Sequence, residues 1–342
     1  MLILGIETSC DETSVSIVED GKKVVSLSTF SQIEIHKVFN GVVPEVASRN
    51  HLLKIIEVLE NGIGNYPLDK IDAFAATNGP GLLGSLLVGT NVAKTLSIFF
   101  NKPYIPVNHI MAHMYSPHLE NEIVFPYIGL VVSGGHTVLF LVKSFYDIEF
   151  LGSTIDDAIG EAFDKISKYL DLGYPGGPII DKLAQDKEAI FLDEFKDISL
   201  PLPDKKDRYN FSYSGLKTAI VYRLKKLQVN EKNIKSIAKT FQELAIKHLL
   251  DKTLNALKDF NISRLVISGG VSANSFLRKE LSNLKEIEVF SASLPLCSDN
   301  AAMVAGRAYI DYIKNPDLFT KESLKSQAFS RLSFIQKGKR IV

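Results

Sequence analysis

Short apolar runs alternate along the chain with longer segments of helical period, and clusters of Gly, Pro, Asn and Asp separate them. Residues 2–30 read as strand, turn, strand, strand: Leu2 to Ile6 is apolar, Val15 and Ile17 alternate with serines, and Asp20-Gly21 between apolar runs is a strong hairpin signal. From Pro44 to about Ile63 a helical period appears, with Val46, Leu53, Ile56 and Leu59 as its apolar positions. Asp72 to Thr77 predicts a short buried strand and Asn78-Gly79-Pro80-Gly81 a turn. Leu82 to Phe100 then predicts a helix in which Gly84, Gly89 and Ala93 permit close packing, and Ile105 to Val107 is a further strand.

The pattern then restarts. An apolar run from Pro126 to Val132, a small-residue turn, and a second run from Thr137 to Val142 repeat what residues 4–9 and 13–18 do, as one hairpin used twice. Residues 153–171 predict a helix with Ile155, Ile159, Phe163 and Ile166 as its stripe, stopped by Gly173-Tyr174-Pro175-Gly176-Gly177-Pro178. Leu200 to Ser214 reads as a long loop. Ile237, Phe241, Ala245 and Leu249 mark a helix beginning at Ser236, Arg264 to Val271 is a buried strand running into glycines, and Asn274 heads a helix to Leu284. Ser298-Asp299-Asn300 precedes a last helix, Ala301 to Tyr312, and Lys337 to Arg340 reads as a solvated terminus. Strands alternating with helices, a repeated hairpin and glycine turns after strands predict an α/β protein of two similar lobes. Ligands of such folds sit beyond the strand ends, which makes a cleft between the lobes the expected site.

Composition narrows the class. At 342 residues the chain exceeds what one core usually supports, and 46% hydrophobic with 23% charged residues is ordinary for a globular protein. The 39 basic and 39 acidic residues cancel, which argues against unspecific nucleic-acid coating but not against a local basic path. Two distant cysteines, Cys10 and Cys297, do not make a disulfide framework. The N-terminus enters a strand at once and lacks the marks of a signal or transit peptide. No run approaches the ~18 consecutive apolar residues of a membrane span, so no membrane association and a cytoplasmic setting are expected.

Candidate chemistry begins at His109 and His113. Three of the seven histidines lie between His109 and His118, and residues four apart share one helix face, so both imidazoles can reach one cation. Spacing alone leaves a metal pair and a polar helix face equally open. Ile110 stands where a zincin peptidase carries glutamate. Asp299 is a candidate third ligand, although helix capping would also explain it. Three glycine turns, Ser133-Gly134-Gly135-His136-Thr137, Gly176-Gly177 and Gly269-Gly270, suggest an anion or nucleotide cradle; none has Walker or GxGxxG spacing. Asp11, Glu12, Asp156, Asp157, Glu161 and Asp164 can bind Mg²⁺ or ribose hydroxyls, or merely form a solvated acidic face; Asp164, near Gly176-Gly177, is the best placed to meet a ligand. Lys205, Lys206, Arg208, Tyr209, Phe211, Tyr213 and Lys217 mix basic and aromatic residues in a way that can serve RNA, though such a loop is more often plain surface.

GIETSCDETS (5–14), GVVPEVASRNH (41–51), NGPGLLGSLLVG (78–89), NHIMAH (108–113), VVSGGHT (131–137), IDDAIGEAFDK (155–165), YPGGP (174–178), FSYSGLKT (211–218), SGGVSANSFLR (268–278) and SDNAAM (298–303) occur in order over nearly the whole chain. Together they closely resemble the universal tRNA threonylcarbamoyl transferases, the bacterial TsaD group. The resemblance implies two ribonuclease-H-like lobes of the actin/Hsp70/sugar-kinase (ASKHA) type around a nucleotide cleft. The expected division is residues 1–108, with 300–342 packing back on them, and 109–299.

The same resemblance implies transfer of threonylcarbamoyl from threonylcarbamoyl-AMP to N6 of the adenosine 3′ of the anticodon, in tRNAs reading codons that begin with A. It implies His109, His113 and Asp299 as ligands of one divalent metal per subunit, iron or zinc. Val131, Val132, Ser133, Gly134, Gly135, Asp164, Gly177, Asp181 and Asn274 match substrate-binding positions for an adenine nucleotide, threonylcarbamoyl-AMP or ATP, which Mg²⁺ can accompany. Expected partners are tRNA, a degenerate paralogue of the same fold and a small ATPase. No general base is assigned. The alternatives are a metallopeptidase and a stand-alone actin-like ATPase module.

Overall fold

The computed structural model describes residues 1–198, 208–227, 229–231, 233–319 and 321–331. They form two compact units: Met1–Ile123 together with the described residues after Ser291, and Val124–Ser291. The bounds differ from the expected 108/109 and 299/300, because no linker falls at either place. The fifth strand runs straight into His109, and Asp299 leads directly into a helix packed on the first strand. Residues 200–207 of the predicted loop, Lys205 and Lys206 among them, and the segment from Lys337 to Arg340 lie outside the described residues.

The first unit is built on a sheet of order β3-β2-β1-β4-β5, comprising β1 (Leu2–Glu7), β2 (Glu12–Glu19), β3 (Lys23–Ser31), β4 (Ala73–Gly79) and β5 (Tyr104–Asn108). β1 pairs antiparallel with β2 and parallel with β4. The β2–β3 turn is the predicted Asp20-Gly21, with φ of 50° and 72°, the left-handed pair that a tight hairpin of matching twist requires. Side chains alternate along β1. Leu4 and Ile6 join a cluster with Ile55, Val58 and Ala93, from the helices Pro44–Ile63 and Leu83–Phe100. A Cβ on Gly5 would lie 2.5 Å from the Ala301 carbonyl oxygen, so on the opposite face only glycine admits the helix Ala301–Lys314 at this distance. Both faces of β1 are therefore covered, which explains its continuous apolar run.

The Pro44–Ile63 helix has the predicted span but a different buried face. Ala47, His51, Ile55, Val58 and Gly62 face inward, whereas Leu53 and Ile56 are exposed. Apolar residues stand on both sides of this helix, and the small and polar positions that let it approach β2 decided which side packs. Among the described residues, Leu83–Phe100 alone is long and apolar enough to cross a bilayer by length and composition. Its face of Leu86, Gly89, Thr90, Ala93 and Ser97 is buried, in contact with β4 and β1.

In the second unit the sheet order is β10-β9-β6-β7-β8, with β6 (Tyr127–Val132), β7 (Thr137–Ser144), β8 (Asp147–Ser153), β9 (Arg264–Ser268) and β10 (Glu288–Ser291). β6 is antiparallel to β7 and parallel to β9. The repeat seen as one hairpin thus extends to all five strands, β6 to β10 standing where β1, β2, β3, β4 and β5 stand in the first sheet. The helix predicted over 153–171 begins only at Ile159. Residues before it stay extended because the Thr154 amide bonds to the Thr137 carbonyl and the Ile155 amide to that of Phe211, and Ile155 is exposed. The predicted stop at 173–178 also starts the helix Gly176–Ala184. Ile237, Phe241, Ala245 and Leu249 are fully buried on the helix Ile234–Asp259.

Candidate metal centre and ligand-facing turns

β5 ends at Asn108, whose side chain accepts from the Ile110 amide at 2.9 Å and the Met111 amide at 3.2 Å. This cap starts the helix His109–Tyr115, all seven residues of which are buried. One turn separates the imidazoles, and their ring centroids lie 4.6 Å apart. Asp299 reaches them from the far end of the chain: its Oδ1 is 2.9 Å from His113 Nε2 and 3.8 Å from His109 Nε2. Asp299 does not serve as the helix cap. Asn300 does so, accepting from the Met303 amide at 3.1 Å, and the Ala301 amide donates to Ser14 Oγ. With those donors satisfied, the Asp299 carboxylate turns toward the histidines.

One ligand atom from each of His109, His113 and Asp299 lies within 4.8 Å of the others. Ligands about 2.0–2.1 Å from a tetrahedral ion stand about 3.4 Å apart, so this mixed N/O set fits a transition-metal ion of the zinc or iron kind. Behind the set, the buried Glu7 carboxylate accepts from the Ser9 amide at 2.5 Å and Thr77 Oγ1 at 2.6 Å, and lies 3.2 Å from His109 Nδ1. Burial opposes charge on His109, but the Asp299 and Glu7 carboxylates outweigh it and raise the imidazole pKa to about 9. The Glu12 carboxyl is pushed well up, first by burial and then by Asp11 and Asp299, so an acidic surround meets the set on this side. Glu7 and Thr77 were not singled out in the sequence. A carboxylate closing an otherwise apolar strand was the available signal for Glu7.

All nine predicted substrate residues fall in the second unit. Val131 and Val132 are fully buried, which leaves only their main chain to face a ligand at the end of β6. Ser133 closes the following turn: its amide donates to the His136 carbonyl, and its Oγ accepts from the His136 amide. A Cβ on Gly160 would lie 2.6 Å from the Ser133 carbonyl oxygen, so this turn rests directly on the helix Ile159–Tyr169. One turn along that helix, Asp164 accepts from the Gly176 amide at 2.7 Å. Asp181, on the helix that begins there, accepts from Ser275 Oγ at 2.7 Å and from its amide at 3.1 Å. Neighbouring Asn274 caps its helix through the Leu277 amide and donates to Gln242. The predicted residues therefore form one connected chain of contacts.

Their glycines divide into two kinds. Gly269 needs to be glycine: its φ is +91° and a Cβ would strike the Val132 backbone. Gly134, Gly135, Gly177 and Gly270 have no left-handed φ, and no heavy atom lies within 4 Å of a Cβ placed on them. The fold does not require glycine there, and close approach of a ligand to the backbone would.

Other candidates have structural work. Asp156 precedes the helix and accepts from Ser212 Oγ, Ser214 Oγ and the Tyr213 amide. Partial burial would raise its pKa, and these donors instead lower it to about 2. Asp157 pairs with Lys165 and Lys217, and Lys165 also with Glu161. Arg208 and the Tyr209 hydroxyl both bond Asp259, while Phe211 and Tyr213 are fully buried. Phe211 and Tyr213 are thus committed to the core, with no aromatic face free for RNA, while the Arg208–Asp259 pair lies at the surface.

Two units sharing one ribonuclease-H-like topology define an α/β protein of the actin-like ATPase type. Solved structures agree on that fold. HypF in its phosphate- and nucleotide-bound form matches with a TM-score of 0.60 at 15% identity, covering 93% of this chain and 47% of that one. Component A of the Acidaminococcus fermentans (R)-2-hydroxyglutaryl-CoA dehydratase matches with a TM-score of 0.56 at 14% identity, covering 92% and 99%. The family model described as TsaD, tRNA N6-adenosine threonylcarbamoyltransferase, matches residues 23–306. Curated proteins of that name are 50% identical over 338 residues in Brachyspira hyodysenteriae (97% of this chain, 96% of the relative) and 48% over 341 residues in Treponema denticola (97% and 99%). The chain belongs to the tRNA N6-adenosine threonylcarbamoyltransferase family. It is an enzyme that modifies tRNA, and the peptidase and stand-alone ATPase alternatives are not favoured.

Proposed function

We propose that the threonylcarbamoyl group comes from threonylcarbamoyl-AMP and is transferred to N6 of the adenosine 3′ of the anticodon in tRNAs reading codons that begin with A, with a divalent iron or zinc ion held by His109, His113 and Asp299. The observation that carries this reading is the convergence of two imidazoles and one carboxylate, 186 residues apart between His113 and Asp299, on one point. Gly134, Gly135 and Gly177, where a Cβ would meet nothing within 4 Å, support a nucleotide cradle formed by Val131 to Gly135, Asp164, Gly177, Asp181 and Asn274.

An exocyclic adenine amine is a poor nucleophile. Acceleration then rests on positioning and on stabilising charge at the carbamoyl carbon and the departing phosphate. Amides of the open glycine turns suit a phosphate, because no side chain of their own crowds the backbone there. Asp164 and Asp181 already accept from Gly176 and Ser275, so they hold the cradle's shape as much as they offer oxygen to ribose or threonyl hydroxyls. A bound divalent ion supplies Lewis-acid polarisation of a phosphate or carbonyl oxygen, and Mg²⁺ accompanies the nucleotide. The enzyme works in the cytoplasm with a degenerate paralogue of its own fold and a small ATPase; the family resemblance supports these partners.

The test is nucleoside mass spectrometry. Purified protein, its partners, threonine, bicarbonate, ATP and an adenylate-forming enzyme are incubated with unmodified tRNA, which is then digested. Threonylcarbamoyladenosine at the position 3′ of the anticodon is expected. Folded protein that leaves that adenosine unmodified in the complete mixture overturns the proposal.

A further inference from the structure

We infer that Glu7 is the positioning residue of the cation site, holding the His109 ring so that its Nε2 rather than its Nδ1 is offered to the ion. The inference rests on the reading that His109, His113 and Asp299 hold a cation. Glu7 ends β1 with no solvent exposure, and a carboxylate in such a place is tolerable only where donors surround it. Three converge on it: the Ser9 amide at 2.5 Å, Thr77 Oγ1 from β4 at 2.6 Å, and His109 Nδ1 at 3.2 Å.

A carboxylate offers the ring only an acceptor, so Nδ1 carries the hydrogen and the lone pair of the neutral imidazole is left on Nε2. That is the atom 3.8 Å from Asp299 Oδ1, on the side where His113 Nε2 also lies. Ser9 Oγ stands 3.2 Å from the same Nδ1 and brackets the ring edge. His113 has no such support, since its Nδ1 is buried without a hydrogen-bond partner. Only one of the two ligating rings is oriented by a carboxylate, and groups of this kind tune metal affinity from outside the ligand set. Thr77 in turn fixes Glu7, which ties the site to the β1–β4 pairing.

The full-length chain, stripped of metal, is titrated with Co²⁺ while its visible d–d absorbance is followed; circular dichroism and thermal unfolding report folding. Wild type is expected to bind. Glu7→Gln keeps the side-chain shape and is expected to bind Co²⁺ about 10- to 100-fold more weakly, with a displaced d–d band. Thr77→Val is expected to weaken binding by a smaller factor. A folded Glu7→Gln protein with wild-type affinity and spectrum overturns the inference and leaves the cation reading standing. Should Glu7→Gln fail to fold, folded Thr77→Val decides: weaker binding supports the inference, and unchanged affinity and spectrum overturn it. A wild-type chain that takes up no Co²⁺ overturns the cation reading itself.

Discussion

The two units repeat one sheet and use its turns for opposite chemistry. After β1 comes Thr8-Ser9-Cys10-Asp11, framed by Glu7 and Glu12; after β6 comes Ser133-Gly134-Gly135-His136. The first is buried, acidic and wired to imidazoles. The second presents backbone on which a Cβ at Gly134 or Gly135 would meet nothing within 4 Å. What stayed the same is the frame itself, down to a left-handed glycine at the end of the parallel neighbour: Gly79 on β4, with φ of 144°, and Gly269 after β9, with φ of 91°. The comparison teaches that this topology fixes where strand ends and helix starts gather. The residues in the turns then decide whether a cation or an anion is welcome there.

The contrast breaks most visibly in the first unit. His113→Ala and Asp299→Ala should each lose the bound ion, with transfer falling about 100-fold or more; elemental analysis of the purified variants checks the metal, and unchanged content removes the residue as a ligand. Acid should act on both units next, since burial lowers the pKa of His118 in the first unit and of His248 in the second to about 4. Burial, helped by the Lys252 charge, lowers the His248 pKa from 6.5 to about 4. Below pH 6.5 the unfolded chain therefore binds a proton that the folded chain does not. Stability contributed by keeping this ring neutral is present above pH 6.5 and is lost progressively down to about pH 4, amounting to about 3 kcal/mol. Hydrogen exchange in second-unit peptides should accelerate over that window, and His248→Gln should flatten the dependence.

Glycines test the cradle more finely. Gly269→Ala should destabilise the protein by about 1–3 kcal/mol in thermal unfolding, because a Cβ meets Val132 at a left-handed φ. Gly177→Ala should leave unfolding within about 0.5 kcal/mol of wild type and yet weaken nucleotide binding by about tenfold, read by calorimetry. Equal effects of the two substitutions on both measurements would erase the distinction between structural and ligand-facing glycines. Last comes Asn300→Ala, about 1–2 kcal/mol, from the lost cap and the lost bonds to the Leu296 and Ser298 carbonyls. Its metal content tests the division of labour between Asn300 as cap and Asp299 as the proposed ligand.

Much of this was legible in the chain. Period-two alternation and Asp20-Gly21 located the first hairpin, and the restart after Pro126 exposed the duplication. Helical spacing put His109 and His113 on one face. Less visible were Ile155, which looked like the first residue of a helical stripe until bonds to Thr137 and Phe211 drew its segment out straight, and the helix Pro44–Ile63, where two apolar stripes competed. Asp299 looked as much like a cap as a ligand, since both roles use a carboxylate just before a helix.

By itself, then, the sequence determined the class of fold and the family and put forward candidate donors, because periodicity, turn chemistry and motif order are local properties that survive without coordinates. Only the tertiary structure decided that Asn300 rather than Asp299 caps, that Glu7 stands behind His109, and that Gly134 and Gly177 face open space while Gly269 does not. Each of those facts depends on contacts between residues far apart along the chain, from 2.9 Å between His113 and Asp299 to 3.2 Å between Glu7 and His109, and a linear pattern carries no distance between them.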